Sequence, residues 1–342
     1  MNLHALSDTA AALLAGHKGL LAMDESTGTA DKRFAALGIP QSAAARRAYR
    51  DLIVTAPGLG ESIGGAILYD ETIRQATLDG RPFVQALDEA GIIAGIKVDA
   101  GARPLALHPG EHVTEGLDGL GPRLAEYVSM GARFAKWRAV IDIDEAGLPT
   151  PGGLAANAHA LARYAAACQQ AGLVPIVEPE VLMDGAHTLA RCAEVTERTL
   201  HAVFAALREQ GVRLEGMLLK PNMVVPGLAC PRQATADEIA DATIACFRRA
   251  VPAAVAGIAF LSGGQSAQDA TARLNAMNAR FAGRLPWPVA FSFARAIQDP
   301  AMKAWAGHAD HVTEAQRRLV ERARLNRLAR QGEYDASMEP AD

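Results

Sequence analysis

Glu215-Gly-Met-Leu-Leu-Lys220-Pro-Asn-Met-Val224 is an apolar run of strand length that ends in a lysine. A lysine carried by a buried strand is costly: its ammonium must be paired, or it must lose its proton. A desolvated amine of lowered pKa attacks carbonyl carbon to form a Schiff base. Pro221 has no N–H and cannot extend a ladder, so the strand must stop just after Lys220, leaving the lysine at a C-terminal lip. Two readings stand at this point, a nucleophile or a structural ion pair at a strand end.

Working outward, short β-type runs alternate with longer helical patterns along the whole chain. Eight such runs occur: Gly19 to Asp24, Gly65 to Tyr69, Ile93 to Val98, Ala132 to Arg138, Val174 to Glu178, Gly216 to Lys220, Gly257 to Leu261 and Val289 to Phe293. Eight is the number that a (β/α)8 TIM barrel requires. Segments with helical period and caps lie between them, such as Ser42 to Ala56, Gly153 to Ala171 closed by Gly172, and Thr188 to Gln210 closed by Gly211. Thr235-Ala-Asp-Glu238 reads as a capping box. No linker or charge run divides the 342 residues. The expectation is one α/β domain over residues 1–342, with a C-terminal helical segment from about Val312 and a short flexible tail at roughly 335–342.

In such a barrel all strands point one way and chemistry collects at their C-terminal ends. The first run ends Asp24-Glu-Ser26, the third Lys97-Val-Asp99, the fourth Lys136-Trp-Arg138, the fifth Glu178-Pro-Glu180 and the sixth Lys220. The seventh ends Ser262-Gly263-Gly264, and Arg295 comes after the eighth. Strand alternation puts Glu178 with Glu180 and Lys136 with Arg138 on shared faces. Charges converging from several strands favour a site over an ion-pair plug. A nearby Lys136 would disfavour a second ammonium at Lys220, while the carboxylates supply a proton acceptor. Ser262-Gly263-Gly264 leads through Gln265 and Ser266 into a helix whose N-terminus can face an anion, and Arg295 adds a bidentate fork.

Half of the residues are hydrophobic, and a formal net charge of -4 gives no reason to expect nucleic acid or an anionic membrane as partner. Cys168, Cys192 and Cys246 fall on helical apolar stripes and Cys230 in a loop, with no CxxC pair, which suits reduced thiols of a cytoplasmic protein. The first residues lack a signal-peptide pattern, and no apolar run approaches the ~18 residues of a membrane span. His108 and His112 have Pro109 and Gly110 between them, so no helix presents them to a metal, and the expectation is no metal and no cofactor. GxxxxGK[ST] and GxGxxG are both missing.

Leu-Ala-Met-Asp24-Glu-Ser-Thr-Gly, Gly-Ile-Lys97-Val-Asp, Phe-Ala-Lys136-Trp-Arg138, Pro-Ile-Val-Glu178-Pro-Glu180, Leu-Leu-Lys220-Pro-Asn-Met and Phe-Leu-Ser262-Gly-Gly-Gln-Ser resemble segments of class I fructose-1,6-bisphosphate aldolase, in order, from about residue 16 to 335. The resemblance implies a metal-free (β/α)8 enzyme, usually a homotetramer. It cleaves fructose 1,6-bisphosphate reversibly to dihydroxyacetone phosphate and glyceraldehyde 3-phosphate, in glycolysis and gluconeogenesis. By the same resemblance Lys220 is the Schiff-base lysine and Glu178 the proton-exchanging carboxylate, with Asp24, Lys136 and Glu180 assisting. Lys97 with Ser26 would hold the distal phosphate. Ser262, Gly263, Gly264, Ser292, Arg295 and Arg33 would hold the one next to the carbonyl, and Arg46 and Arg138 would lie near the substrate path. Ala294 stands where the family more often has glycine, and the chain lacks the terminal tyrosine of many animal members. Rival readings are another Schiff-base barrel, such as a transaldolase or keto-acid lyase, and a barrel kept only as a scaffold. Two phosphate sites oppose the first, and the intact charged set opposes the second.

Overall fold

The computed structural model describes residues 3–144 and 147–339. Among the described residues there are ten strands: β1 (Gly19–Ala22), β2 (Ile63–Leu68), β3 (Ile93–Lys97), β4 (Ala102–Pro104), β5 (His112–Thr114), β6 (Phe134–Ile141), β7 (Val174–Val181), β8 (Leu218–Leu219), β9 (Gly257–Phe260) and β10 (Val289–Phe293). Eight of them close into a barrel in the order β1-β2-β3-β6-β7-β8-β9-β10, every neighbouring pair parallel. These correspond to the eight runs read from the sequence.

Strand bounds differ where neighbours decide them. The fourth run continues to Ile141 because β7 pairs with it residue for residue as far as Val181. The sixth shrinks to Leu218–Leu219, since Leu214–Gly216 forms a 3-10 turn beneath it. The Lys220 N–H still donates to the Val177 carbonyl at 2.8 Å, so the lysine stands on the lip. β4 and β5 form an antiparallel hairpin outside the barrel, with His112 in β5, which periodicity does not reveal in such short exposed runs.

Alternation along the strands separates two apolar layers. Leu20, Ala22, Ile67, Phe134, Val174, Ile176, Leu218, Ala259 and Ala290 form one cluster, the lumen of the barrel. Leu21, Ala66, Ala135, Val177, Leu219, Ile258 and Phe291 belong to the outer cluster shared with the helices. Lumen volume is balanced locally: a Cβ on Gly95 would lie 2.2 Å from the Phe134 ring, so the missing side chain on β3 is what admits a phenylalanine from β6. Truncating that ring to alanine would cost ~3–5 kcal/mol. Leu6, Ala10, Leu13 and Leu14, from the first helix (Leu3–Leu13) and the residue after it, join the lumen cluster and close the barrel's base. In four strands the same parity carries the last lumen residue into a polar one: Ala22 to Asp24, Phe134 to Lys136 and Arg138, Ile176 to Glu178 and Glu180, Leu218 to Lys220.

Helices begin and end where their caps lie. Thr235 and Glu238 make a complete capping box for Ala236–Ala250, a motif contributing about 1 kcal/mol. Pro151–Gln170 and Leu189–Glu209 are followed by Gly172 and Gly211 at φ 81° and 68°, a conformation that glycine adopts freely. Cys168, Cys192, Cys246 and Cys230 are buried free thiols. Among the described residues no helix is long and apolar enough to cross a membrane.

The tail corrects one expectation. A short flexible tail was expected at roughly 335–342, but through Glu339 the chain there is tied back to the fold. Glu339 pairs with buried Arg322 of the helix Val312–Gln331, and the Tyr334 hydroxyl donates to Glu339. The sequence pattern missed this because the partner is a guanidinium inside the fold, not an apolar groove. Residues 340–342 of that tail, and Met1 and Asn2 of the N-terminus, lie outside the described residues.

Candidate active site

Four charged side chains meet at the top of the lumen. Lys136 Nζ lies 2.7 Å from Asp24 Oδ2 and 3.1 Å from Glu178 Oε2, while Lys220 Nζ lies 3.0 Å from Glu178 Oε1. Lys136, Glu178 and Lys220 are each at most 4% exposed, so no bulk water screens these pairs. Burial works against the charges of Asp24, Glu178 and Lys136, yet their partners prevail. Asp24 is held below its usual carboxylate range by Lys136 and Lys220, and Glu178 by Lys136, Lys220 and Arg138. Lys136 is raised well above the ordinary lysine value by Asp24 and Glu178, again against desolvation. The repulsion expected between the two ammonium groups is therefore offset at the carboxylate they share. Glu178 Oε2, though close to Lys136, is buried without a hydrogen-bond partner. An ionised oxygen with spare acceptor capacity is what a proton-transfer step needs.

A second ring of charges surrounds this centre. Arg138 Nε donates to Glu180 Oε2 at 2.5 Å. Lys97 Nζ lies 3.1 Å from Asp99 Oδ1 and sits over the Tyr69 ring. Asp99 Oδ2 also accepts the Arg138 N–H at 3.2 Å, so this one carboxylate ties the ends of β3 and β6 together. Asn222 does the same for β7 and β8: its Oδ1 accepts the Val181 N–H at 3.0 Å, and its Nδ2 donates to Thr196 and the Met223 carbonyl. The sequence reading noted Asp99 only as a charge at the end of the third run and gave it no role, and it did not single out Asn222. The signal was present, since each lies two residues past a lumen lysine.

After β9 the chain turns through Gly263 and Gly264 at φ 54° and 90°. A side chain at Gly263 would be strained there and would also meet Leu261 at 2.8 Å. Ser266 caps the next helix, Ala267–Arg280. A Cβ placed on Gly264 would lie 3.7 Å from Arg295 Nη2, so the glycine turn and the arginine after β10 face one another. Ser262 is buried at this turn, and Ser292 Oγ is buried with no partner. Arg295 is exposed and has no carboxylate partner among the described residues. The set can cradle an anion through backbone N–H groups, hydroxyls and a guanidinium. Ala294 is accommodated at φ -103°, so the methyl group imposes no left-handed backbone.

Three residues of the expected set have their polar groups engaged elsewhere. Arg33 forks between Glu25 and Asp299, the latter at 2.8 Å, with Gln298 beside it. Arg46 grips Glu71 with Nε and Nη2 at 3.0 and 2.7 Å and Asp31 at 2.8 Å. The Ser26 hydroxyl caps the helix Thr27–Ala35, accepting from the Thr29 N–H. Glu25, Asp299 and Glu71, which hold these arginines, were not anticipated, because a long-range ion pair leaves no local pattern. Burial outweighs Arg33 at Glu25 and pushes its carboxyl up. Among the described residues no group of three His, Cys, Asp or Glu side chains could hold a metal ion.

Comparison with known proteins bears on this arrangement. The family model for fructose-bisphosphate aldolase class-I (glycolytic) matches residues 5–342. A probable fructose-bisphosphate aldolase class 1 of Xanthomonas axonopodis pv. citri is 53% identical over 335 residues, covering 98% of this chain and 99% of its own. Human fructose-bisphosphate aldolase C is 49% identical over 337 residues, covering 98% of this chain and 92% of its own. The solved structure of fructose-bisphosphate aldolase from Plasmodium falciparum, in a ternary crystal with TRAP and a small-molecule inhibitor, superposes with a TM-score of 0.96 at 46% identity, over 98% of this chain and 96% of that one.

Proposed function

The chain belongs to the class I fructose-bisphosphate aldolase family, and from that premise we propose that it cleaves fructose 1,6-bisphosphate reversibly through a Schiff base on Lys220. The observation that carries the reading is the Lys220 amine 3.0 Å from an ionised, buried Glu178 whose second oxygen has no hydrogen-bond partner. Lys220 passes a proton to Glu178 and adds to the C2 ketone, and Glu178 returns that proton to the carbinolamine hydroxyl, which leaves as water to give a cationic iminium. Asp24 and Glu178 balance Lys136 and the iminium charge for charge, so the cation forms in a neutral cluster. Glu178 takes the C4 hydroxyl proton, the C3–C4 bond breaks, and its electron pair flows into the iminium to give an enamine. Glyceraldehyde 3-phosphate leaves. The enamine is reprotonated at C3 through Glu178 and water in the lumen, and hydrolysis releases dihydroxyacetone phosphate and the Lys220 amine.

Ser262, Gly263, Gly264, Ser292 and Arg295 take the phosphate beside the carbonyl, and Lys97 takes the distal one, with Arg138 along the path between them. Glu180 holds Arg138 in place. Arg33 and Ser26 join these sets by leaving Glu25 and the helix cap, and Arg46 lines the approach. We take the protein to act in glycolysis and gluconeogenesis, as one domain over 1–342 in a cytoplasmic homotetramer. Borohydride in the presence of dihydroxyacetone phosphate tests the central step, because only an imine is reducible there. It should inactivate the protein and tether a three-carbon unit to Lys220; a label on Lys136 or Lys97 would overturn the assignment.

A further inference from the structure

Behind the glycine turn lies a cavity of about 410 Å³, walled by the start of Ala267–Arg280, the helix Arg295–Trp305 and the helix Val312–Gln331. Arg295, Lys303, Arg318 and Arg322 line it, against the carboxylates of Asp299, Glu321 and Glu339. Arg322 is the deep cation, only 4% exposed. Its Nη1 donates to both oxygens of Glu339 at 2.6 and 2.5 Å, and its Nη2 to the Ala267 carbonyl and Thr271 Oγ1 at 3.0 and 2.7 Å. The Nε–H of the same guanidinium is buried with no acceptor. Tyr334 adds a hydroxyl donor, 2.8 Å from Glu339 Oε1.

We infer that this cavity is an anion site whose resident is the chain's own Glu339, and that a phosphoryl dianion, as inorganic phosphate or a small phosphate monoester, takes its place. The geometry favours exchange on three counts. A carboxylate brings one charge and two oxygens to a guanidinium that keeps a donor unused, whereas a phosphoryl group brings more oxygens and up to two charges. With Glu339 removed, Arg295, Lys303 and Arg322 have no carboxylate partner among the described residues, while Arg318, Asp299 and Glu321 are paired with Glu314, Arg33 and Arg317, so the unpaired charge facing the cavity is cationic. The tail's ties to the fold run through Glu339, to Arg322 and the Tyr334 hydroxyl, since the turn Ala336–Met338 buries no residue. Arg295 belongs to the wall, so an anion here would sit beside the cradle after β9 without entering the lumen.

Equilibrium dialysis of the full chain against labelled inorganic phosphate tests the site without recourse to catalysis. Glu339→Gln weakens the resident and should bind phosphate about tenfold more tightly than the wild type. The gain should vanish in Glu339→Gln/Arg322→Gln and fall roughly threefold in Glu339→Gln/Lys303→Ala, whose rim lysine is exposed and safe to truncate. Glycerol 3-phosphate run in parallel assigns the site to monoesters if it shares the gain, and to the free ion if it does not. Equal affinity in Glu339→Gln and wild type, or a gain that survives Lys303→Ala undiminished, would overturn the proposal, even where the Arg322 variant fails to fold.

Discussion

Two clusters, each pairing cations with carboxylates, lie at the same end of the barrel, and they are built differently. In the lumen, lysines meet carboxylates: Lys136 with Asp24 and Glu178, and Lys220 with Glu178. Beside β1 and β2, arginines do: Arg46 with Asp31 and Glu71, and Arg50 with Glu71. The arginine cluster has spent its forks on bidentate and bridging contacts. Arginine does not lose its proton, so such a network holds loops and does no chemistry. The lysine cluster leaves Glu178 Oε2, ion-paired with Lys136 at 3.1 Å but with no hydrogen bond, spare acceptor capacity, and it joins groups that can exchange protons. Charge density at the barrel mouth therefore does not by itself mark a site; unspent hydrogen-bonding and proton-transfer capacity does.

The contrast is sharpest at Glu178. Glu178→Gln keeps the shape and removes the base, and we expect kcat for bisphosphate cleavage to fall by roughly 10²- to 10⁴-fold, the range for a lost general acid–base group. A steady-state assay that finds less than a tenfold loss would mean that the unused oxygen is not the acceptor.

A matched pair of arginine variants comes next. Arg295→Ala should raise KM for the bisphosphate by an amount worth ~1.5–3 kcal/mol, the range for charge-assisted bonds, and leave the melting temperature nearly unchanged. Arg46→Ala should do the reverse, because Glu71 and Asp31 would lose their partner. Its cost in urea denaturation should be about 1–3 kcal/mol, less than for a fully buried pair, since both carboxylates keep some exposure. If Arg46→Ala instead raises KM strongly with stability intact, the two clusters are not distinct in kind.

The smallest expected effect is in pH. Asp24 and Glu178 have pKa values lowered from 3.8 and 4.5, so the stability they supply is present above those values and lost as pH falls through the lower folded-state ones. Lys136 is raised from 10.5, so its share is present below 10.5 and lost only as pH rises through the folded value. Glu71 is also lowered, chiefly by its bonds to Arg46, which gives the arginine cluster an acid limb but no alkaline one. The stability difference between wild type and Lys136→Met should accordingly stay level from about pH 6 to 9 and change below ~4. A slope near neutrality would contradict the charge states assigned here.

Much of the barrel was legible from the chain alone, because strand periodicity is local. A run such as Ile93 to Val98 has to be buried wherever it lies, and Pro221 stops its strand whatever surrounds it. Polar residues at strand ends were legible for the same reason: the strand pattern put Asp24, Lys97, Asp99, Lys136, Arg138, Glu178, Glu180 and Lys220 at one end, and the family resemblance divided them into roles. The hairpin of β4 and β5 was not, since three-residue strands carry too little pattern. Nor was the first helix's place under the barrel, because its apolar stripe would suit any core.

What the sequence determined by itself was the number and direction of the strands, the residues at their lips and the glycine turn after β9, all consequences of local backbone and side-chain chemistry. Tertiary structure alone decided which partner each charge meets. Arg33, Arg46 and Arg295 are the same side chain, and nothing local tells them apart. Folding placed Glu25 and Asp299 against the first, Asp31 and Glu71 against the second, and no carboxylate against the third among the described residues. An ion pair is a contact between segments far apart in the chain, and its free energy depends on a distance and a dielectric that exist only once the chain has folded.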